Sequence, residues 1–473
     1  SSFRETMNPP APLAKSAIIN RVAGESPGRR GMRFFGLGRR VVPVARWAAQ
    51  TLLGHDPVRD QIELIEEKTA PLRLKALPGA PRRVNLLIPT LDFQYVFGGY
   101  ITKFSLARRL AREGLRVRLV AVDWCDYQPD LWRRQCQGFP GLEDLLDHVE
   151  VVPAFGRAVP LEVSPADRFI ATTWWTAHVA HAAAAELGTG PFLYLIQEYE
   201  PFTFPMGSLA AVAAQSYTFP HRAAFSSELL REHFRLGGLG VYAGGPEAGD
   251  RDSISFQNAI TAVGEVTADE VRARPGRRLL FYARPEPHAA RNMFELGVVA
   301  LRRAVREGAF PGVWEFHGIG SLDPSRRLAL SESAHLRVMP RQSQAEYARF
   351  LRGYGVGLCL MYTPHPSLVP IEMASAGLLT VTNTFANKTA GRLTAISPNL
   401  LGAPPTVEGI VAALGEAASR VTDYEGRARG ARVAWSTGWD QTFDAPFLAR
   451  IRAFLGEDAP RAAGTAPAPA AVS

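Results

Sequence analysis

The chain has 473 residues, 47% hydrophobic and 21% charged, and its 53 Lys and Arg against 45 Asp and Glu give a net charge of +8. That length supports two or three domains with sizeable cores, and the balance excludes a disordered chain. Three cysteines, Cys125, Cys136 and Cys359, lack C-x-x-C spacing, which argues against a disulfide framework or a zinc site and fits a reducing cytoplasm.

Residues 1–80 precede the first strong strand pattern and read as a partly helical extension. They carry no signal-peptide pattern, and no run in the chain approaches a membrane-spanning length. The stretch SPGRRGMRFFGLGRRVVPVARWAAQTLL, Ser26 to Leu53, mixes arginines with aromatic and aliphatic residues. Its second half is expected as an amphipathic helix that either touches an anionic membrane or packs on the body with an arginine-rich outer face.

The first domain, 81–250, opens with the apolar strand RVNLLIPT, Arg83 to Thr90. A Gly-containing loop, LDFQYVFGGY, leads into the amphipathic helix ITKFSLARRLAREG, which Gly114 stops. The next strand is Arg116 to Asp123, so the order is strand, Gly loop, helix, strand, a Rossmann-like opening. Further strands are expected at Val149–Pro153, Arg168–Thr172, Phe192–Ile196 and Ala223–Ser227, most of them separated by helices as parallel pairing requires. The Gly-rich, charged stretch from Val241 to Ser253 marks the boundary.

A second α/β series, 251–435, follows. It has strands at Arg278–Ala283, Val313–Gly318, Leu336–Pro340, Gly355–Met361 and Leu378–Asn383, with helices over Ala290–Gly308 and Ser343–Gly353. Between the last two strands lies TPHPSLVPIEMASAG, Thr363 to Gly377. It reads as a short helix with Ser367 as N-cap, Pro370 in the first turn and Gly377 as the stop. Final helices over Gly438–Leu455 and a Pro/Ala tail, 456–473, with nothing to bury complete the chain. The fold class is α/β: two tandem Rossmann-like domains with a cleft between them, and a C-terminal helix closing back on the first.

In open α/β sheets ligands bind at the carboxyl ends of the strands. Arg284 directly follows the strand that contains Tyr282, and Arg291 comes seven residues later; two guanidinium groups there would clamp a pyrophosphate, although Arg291 also reads as one more surface arginine. Phe316 or His317 would touch a base, with Gly318 and Gly320 letting the backbone approach. His365, Pro366, Ser367 and Leu368 surround a helix N-terminus, which favours an anion. Glu372, early in that helix, either serves the ligand or complements the macrodipole. From the first domain, Gly98 and Gly99 permit close approach of a phosphate or sugar, and Glu198 and Glu200 would orient an acceptor hydroxyl or act as base, or else bind neighbouring backbone. Trp174, Trp175 and His178 suit sugar contacts or the core equally. The working catalytic set is Arg284, Arg291, Glu198 and Glu372, with no metal ligand.

Two tandem Rossmann-like domains with a closing helix resemble the GT-B glycosyltransferases. PHPSLVPIEMASAG resembles the donor signature of the retaining glycosyltransferase family four, and YLIQEYEPFTFPMGS and FIATTWWTAH resemble the narrower group of WsaF-type bacterial rhamnosyltransferases. The resemblance spans about residues 83–455. It implies front-face transfer of a sugar, with rhamnose from dTDP-rhamnose favoured, to an oligosaccharide or lipid-linked glycan in surface polysaccharide synthesis. It also implies no cofactor or metal. Cysteine usage points to the cytoplasm, and the arginine-rich N-terminal segment to a peripheral place on the inner face of the cytoplasmic membrane. Glu372 matches the family's ribose-holding carboxylate. The first Glu of the usual E-x7-E pair is replaced by Pro364, which fits a 6-deoxy sugar held through His365 or backbone N–H groups. Two other readings keep the fold: a sugar-nucleotide epimerase and a non-catalytic glycan-binding scaffold. Nucleic-acid binding fits poorly, because the basic residues are dispersed and no such motif is present.

Overall fold

Apolar runs bounded by turns, with a helix after most of them, pair as parallel strands covered on both faces. A computed structural model describes residues 56–457 except 92–97, 126, 321–325, 341 and 343. The expected amphipathic segment at 26–53 and the tail from 458 onward lie outside the described residues. Among the described residues no helix is long and apolar enough to cross a membrane.

The first sheet contains β1 (Val84–Ile88), β2 (Val117–Ala121), β3 (Val149–Pro153), β4 (Arg168–Ala171), β5 (Phe192–Ile196), β6 (His221–Phe225) and β7 (Ser253–Ser255). Their spatial order is β3-β2-β1-β4-β5-β6-β7, all parallel. Every residue of β1 is buried, and alternate side chains serve opposite layers. Leu86 and Ile88 join Phe104 and Leu110 of α1 (Gly98–Arg112), whereas Leu87 joins Ala177, Ala180 and Ala183 of α2 (Trp174–Leu187).

The second sheet contains β8 (Arg278–Ala283), β9 (Glu315–Gly320), β10 (Arg327–Ala329), β11 (His335–Val338), β12 (Val356–Leu358), β13 (Leu379–Asn383) and β14 (Leu400–Ala403). The order is β10-β11-β9-β8-β12-β13-β14, parallel except for the β10/β11 edge. Three helices matter below: α3 (Phe294–Arg306), α4 (Leu368–Ser375) and α5 (Val407–Ser419). α3 and α5 cover one face through Val298, Leu301, Ile410 and Leu414.

The closing helix is α6 (Ala445–Phe454), capped by Asp444, whose carboxylate accepts from Phe447 N–H at 2.9 Å. Phe447, Leu448, Ile451 and Phe454 are buried in the first sheet's core, as expected. The architecture is that of two Rossmann-like domains with the C-terminal helix returned to the first.

Several placements differ from the sequence reading. Helix α3 starts at Phe294, not Ala290, because a separate 3-10 turn, Pro287–Asn292, and a left-handed Met293 precede it. The first sheet extends past residue 250, because Ser253–Ser255 pairs with β6 as its edge strand. β9 runs to Gly320 and starts two residues later than expected, leaving Val313 85% exposed outside it. β14, α5, and a two-stranded parallel pair of Leu74–Ala76 with Leu161–Val163 were not anticipated.

Candidate functional site

The carboxyl ends of the two sheets supply facing loops. From the second domain, a 3-10 turn, Pro287–Asn292, carries Arg291. From the first, the segment after β5 carries Glu198. Arg291 Nε stands 3.9 Å from Glu198 Oε1, so the domains meet here through opposite charges. Burial pushes the Glu198 carboxyl up, and the charges of Arg291 and Lys388 oppose that. Neither side chain is fully satisfied: one Arg291 Nη donates to His288 O at 3.0 Å, but Arg291 Nε and Glu198 Oε2 are buried without a hydrogen-bond partner. Thr363 stands near the Glu198 carboxylate, and its buried hydroxyl also lacks a well-formed bond.

The loop from Met361 to Ser367 is held at several points. Asn383 Oδ1 accepts from Met361 N–H at 2.6 Å, and its Nδ2 donates to Met361 O at 3.1 Å. Lys388 Nζ donates to Met361 O at 2.6 Å and to His365 O at 3.4 Å. Tyr362 N–H donates to Arg291 O at 2.7 Å. Ser367 N–H donates to His365 Nδ1 at 3.0 Å, which places the imidazole hydrogen on Nε2. Burial holds His365 neutral, down to about 3, and its Nε2 points toward the Ser226 main chain without a well-formed bond.

Ser367 is not the side-chain cap that its position suggested. Its φ is 66° and ψ 151°, and its hydroxyl makes no capping bond. A non-glycine residue in that region is strained by about 1–3 kcal/mol, a cost the surrounding tethers sustain. Pro366 is buried beneath the turn and Leu368 begins α4.

Arg284 is on the same rim, turned toward its own strand. Its Nε donates to both Glu286 oxygens at 3.1 Å, one Nη to Tyr282 Oη at 3.1 Å and the other to His288 Nε2 at 3.4 Å. Burial presses the His288 imidazole down, and the charges of Arg284 and Arg291, both hydrogen-bonded to His288, add to it. Glu372 is set deeper. It is 8% exposed; Oε1 accepts from Thr261 N–H at 2.9 Å, and the Tyr347 hydroxyl stands near the same carboxylate. Burial pushes its carboxyl up. Glu372 therefore ties α4 to the segment that crosses between the domains, and Tyr347 stands near both Glu372 and Tyr282.

Several expected residues fall elsewhere. Phe316 and His317 lie in the first half of β9, because that strand ends at Gly320. Phe316 packs edge-on against Phe310 at 5.1 Å, and His317 Nδ1 meets Tyr354 Oη at 3.1 Å, so neither reaches the rim. Gly318 pairs in mid-strand with Phe281; it is Gly320 that reaches the edge, with a Cβ there falling 2.1 Å from Ala283 O. Trp174 is buried against Trp175, His178 and Phe204, and His178 Nε2 meets Val212 O at 3.1 Å; Trp174 and His178 pack the first domain. Glu200 turns inward and accepts from Trp174 N–H at the start of α2, where an anion suits the dipole. Burial raises its carboxyl and depresses the Lys103 amine beside it, each charge supporting the other. Gly98 and Gly99 begin α1, and Gly99 O accepts from Gln197 Nε2 at 2.9 Å, next to Glu198.

Sequence reasoning missed Lys388 and Asn383. Both sit at or just after β13, at the same sheet edge as the loops that were chosen, but a single Lys or Asn in a polar loop carries no spacing signature. An open depression of about 400 Å³, lined by Tyr362, Thr384, Phe385 and Thr389, adjoins the loop. Phe202 of the first domain reaches Phe385 across the seam at a ring separation of 5.5 Å. Among the described residues no three His, Cys, Asp or Glu side chains form a metal-holding group.

Residues 83–227 match the WsaF N-terminal domain and residues 277–415 the WsaF C-terminal domain, together more than half of the chain. The chain is 29% identical over 410 residues to the O-antigen biosynthesis protein RfbC of Myxococcus xanthus. That match takes in 85% of this chain and 29% of RfbC, so the chain spans about three tenths of the relative's length. Among solved structures it is similar to Anabaena HepE in complex with UDP and glucose, at 13% identity and TM-score 0.51, covering 79% of this chain and 98% of that one. It is also similar to sucrose-phosphate synthase of Thermosynechococcus elongatus, at 12% identity and TM-score 0.50, covering 80% and 98%. These likenesses show the GT-B fold.

Proposed function

The chain belongs to the WsaF family, whose two domains it carries in order, and from that premise we propose that it is a nucleotide-sugar glycosyltransferase of surface polysaccharide assembly. The observation that supports this most is the opposed pair of Arg291 and Glu198, one from each sheet edge, with unpartnered buried atoms on both. Buried polar atoms are almost always paired, so such a cluster signals a polar ligand. A sugar diphosphate has the complementary groups: anionic oxygens for Arg291 and His365 Nε2–H, and hydroxyls for Glu198. The relative's role in O-antigen biosynthesis suits a growing glycan as acceptor.

In this reading Arg284 and Arg291 hold the diphosphate and stabilise the charge that develops as it leaves. Release of Arg284 from Glu286 accompanies donor binding. Glu372 and Tyr347 hold the ribose, and Gly98 and Gly99 let α1 approach the donor. The leaving phosphate oxygen takes the acceptor proton on the same face, so transfer proceeds with retention and without a carboxylate nucleophile. The favoured donor is dTDP-rhamnose. Pro364 offers the sugar no side-chain hydrogen bond, which suits a deoxygenated C6. Because arginines meet the phosphate charge, turnover proceeds in excess chelator.

Thermal shift with dTDP-rhamnose and with UDP- and GDP-sugars tests the reading. A true donor at about 100 times its dissociation constant stabilises by about 2.7 kcal/mol. Mass spectrometry of donor, acceptor glycan and enzyme then shows a hexose or deoxyhexose added. Absence of any shift across the panel would overturn the assignment, and a shift with UDP- or GDP-sugars alone would overturn dTDP-rhamnose.

A further inference from the structure

Lys388 has no exposed surface, yet among the described residues no carboxylate lies within ion-pair distance of it. Its bonds go to two main-chain carbonyls, Met361 O at 2.6 Å and His365 O at 3.4 Å. An ammonium group buried on such terms is costly and needs a further compensating charge. Glu198, on the facing domain, is the carboxylate whose field supports it.

The two carbonyls bracket Tyr362, Thr363 and Pro364. Tyr362 N–H is bonded to Arg291 O, and His365 Nε2 is left buried and unpartnered at the seam. The tether therefore fixes the main chain that carries His365 and, through Tyr362, the main chain of Arg291, whose side chain faces Glu198. Asn383 repeats the clamp at Met361, so the loop is fixed from below at both ends.

We propose that Lys388 is a positioning residue of the donor site, holding the Met361–His365 loop so that His365 Nε2–H and Arg291 present to an incoming diphosphate, and supplying beneath them the positive charge that the diphosphate completes. The proposal rests on the nucleotide-sugar reading and adds to it a residue and a proton linkage.

The charged and titratable groups facing Lys388 fix the sign of the effect. Glu198 favours its protonated form; Arg291 and the neutral His365 do not, and burial keeps the Cys359 thiol protonated. Burial dominates and brings the Lys388 amine down to about 7. A bound diphosphate favours the ammonium, so binding draws in a proton. Above about pH 7 the free protein has lost that charge, and the donor dissociation constant rises by up to about tenfold per pH unit until the complex itself deprotonates.

The test is titration calorimetry with dTDP-rhamnose and UDP-glucose, whose diphosphodiesters do not titrate near neutrality, on the full chain and on Lys388→Met and Lys388→Arg between about pH 6 and about pH 8.5. The wild type weakens by about tenfold across that range, Lys388→Met is weak and flat, and Lys388→Arg is flat and at least as tight as the wild type at its high-pH end. In buffers of different ionisation enthalpy near pH 7.5, the wild type shows net proton uptake. An unchanged slope in Lys388→Met overturns the proposal. Zero uptake by the wild type also overturns it, whether or not the variants fold. Donor binding without these effects overturns Lys388 alone, whereas no binding by the wild type of any dTDP-, UDP- or GDP-sugar overturns the donor-site reading with it.

Discussion

Glu372 has two demands on one carboxylate. It accepts the Thr261 N–H inside the protein, with the Tyr347 hydroxyl nearby, and it is proposed to hold a ribose. Glu372→Ala leaves the half-buried Thr261 N–H without its partner, at about 1 kcal/mol of stability. Loss of the ribose contact is uniform binding, so it raises the donor KM by about 10- to 100-fold and leaves kcat nearly unchanged. Glu372→Gln keeps an acceptor and recovers part of both. Melting curves and steady-state kinetics separate the roles: a lower Tm with an unchanged donor KM would confine Glu372 to tying the crossover. Arg284 differs in kind, because its charge is needed most as the phosphate departs. Arg284→Ala lowers kcat by about 10²- to 10³-fold, and a change in KM alone would remove it from the reacting centre. Arg284, Arg291, Glu198 and Glu372 could be proposed from the sequence because each follows an apolar strand run or falls near the start of an expected helix, although Arg291 itself lies at the end of a 3-10 turn before α3. Lys388 could not, because its meaning lies in two carbonyls, one 27 residues and the other 23 residues before it in the chain.

Elements were most legible where an apolar run was bounded cleanly by polar or turn residues. Val149–Pro153, Phe192–Ile196 and Arg278–Ala283 begin and end as the sequence indicates. β7 is a Ser-Ile-Ser edge strand with no apolar run, so only its pairing with β6 reveals it. β9 misled in the other direction: Val313 and Trp314 lengthen the apolar run but precede the strand, and that shift moved Phe316 and His317 off the rim. The same register makes Gly320 the critical glycine. Its φ is 154°, and a Cβ would lie 2.1 Å from Ala283 O and 3.2 Å from Arg284 Cδ. Gly320→Ala therefore forces β8 and β9 apart at the position that carries Arg284. The expected cost exceeds about 2 kcal/mol, with donor affinity falling further than the loss of folded protein explains. Gly318→Ala, whose Cβ meets only side chains at 3.6 Å or more, is the milder control. Denaturant midpoints with donor titrations on the folded fraction decide it, and equal effects from the two substitutions would refute the argument.

Across the whole molecule, the last described helix belongs to the first domain's core. Phe447 is 3% exposed and packs against Phe443 at 5.2 Å and Phe256 at 5.5 Å between ring centroids. Phe256 lies on the crossover that leaves the first sheet, so one aromatic cluster joins the start of the crossover to the end of the chain. Arg82, just before β1, donates to the carbonyls of Leu455 and Gly456 and pairs with Glu457 at 3.2 Å. The first domain cannot complete its core until the second has been threaded and the chain has returned. Phe447→Ala opens a cavity under the first sheet and costs about 3–5 kcal/mol, although the residue lies far from any proposed ligand contact. The residues beyond Glu457 are mainly Ala, Pro and Gly and offer little to bury. A chain ending at Glu457 therefore keeps its full Tm and activity, whereas one ending at Asp444, which lacks α6, exposes the first core and loses cooperative unfolding. Urea unfolding of the three variants measures this directly. Phe447→Ala shifts the midpoint with little change in slope, the Glu457 truncation shifts neither, and a stable, cooperative protein without α6 would show that the closing helix is an accessory rather than a part of the first domain.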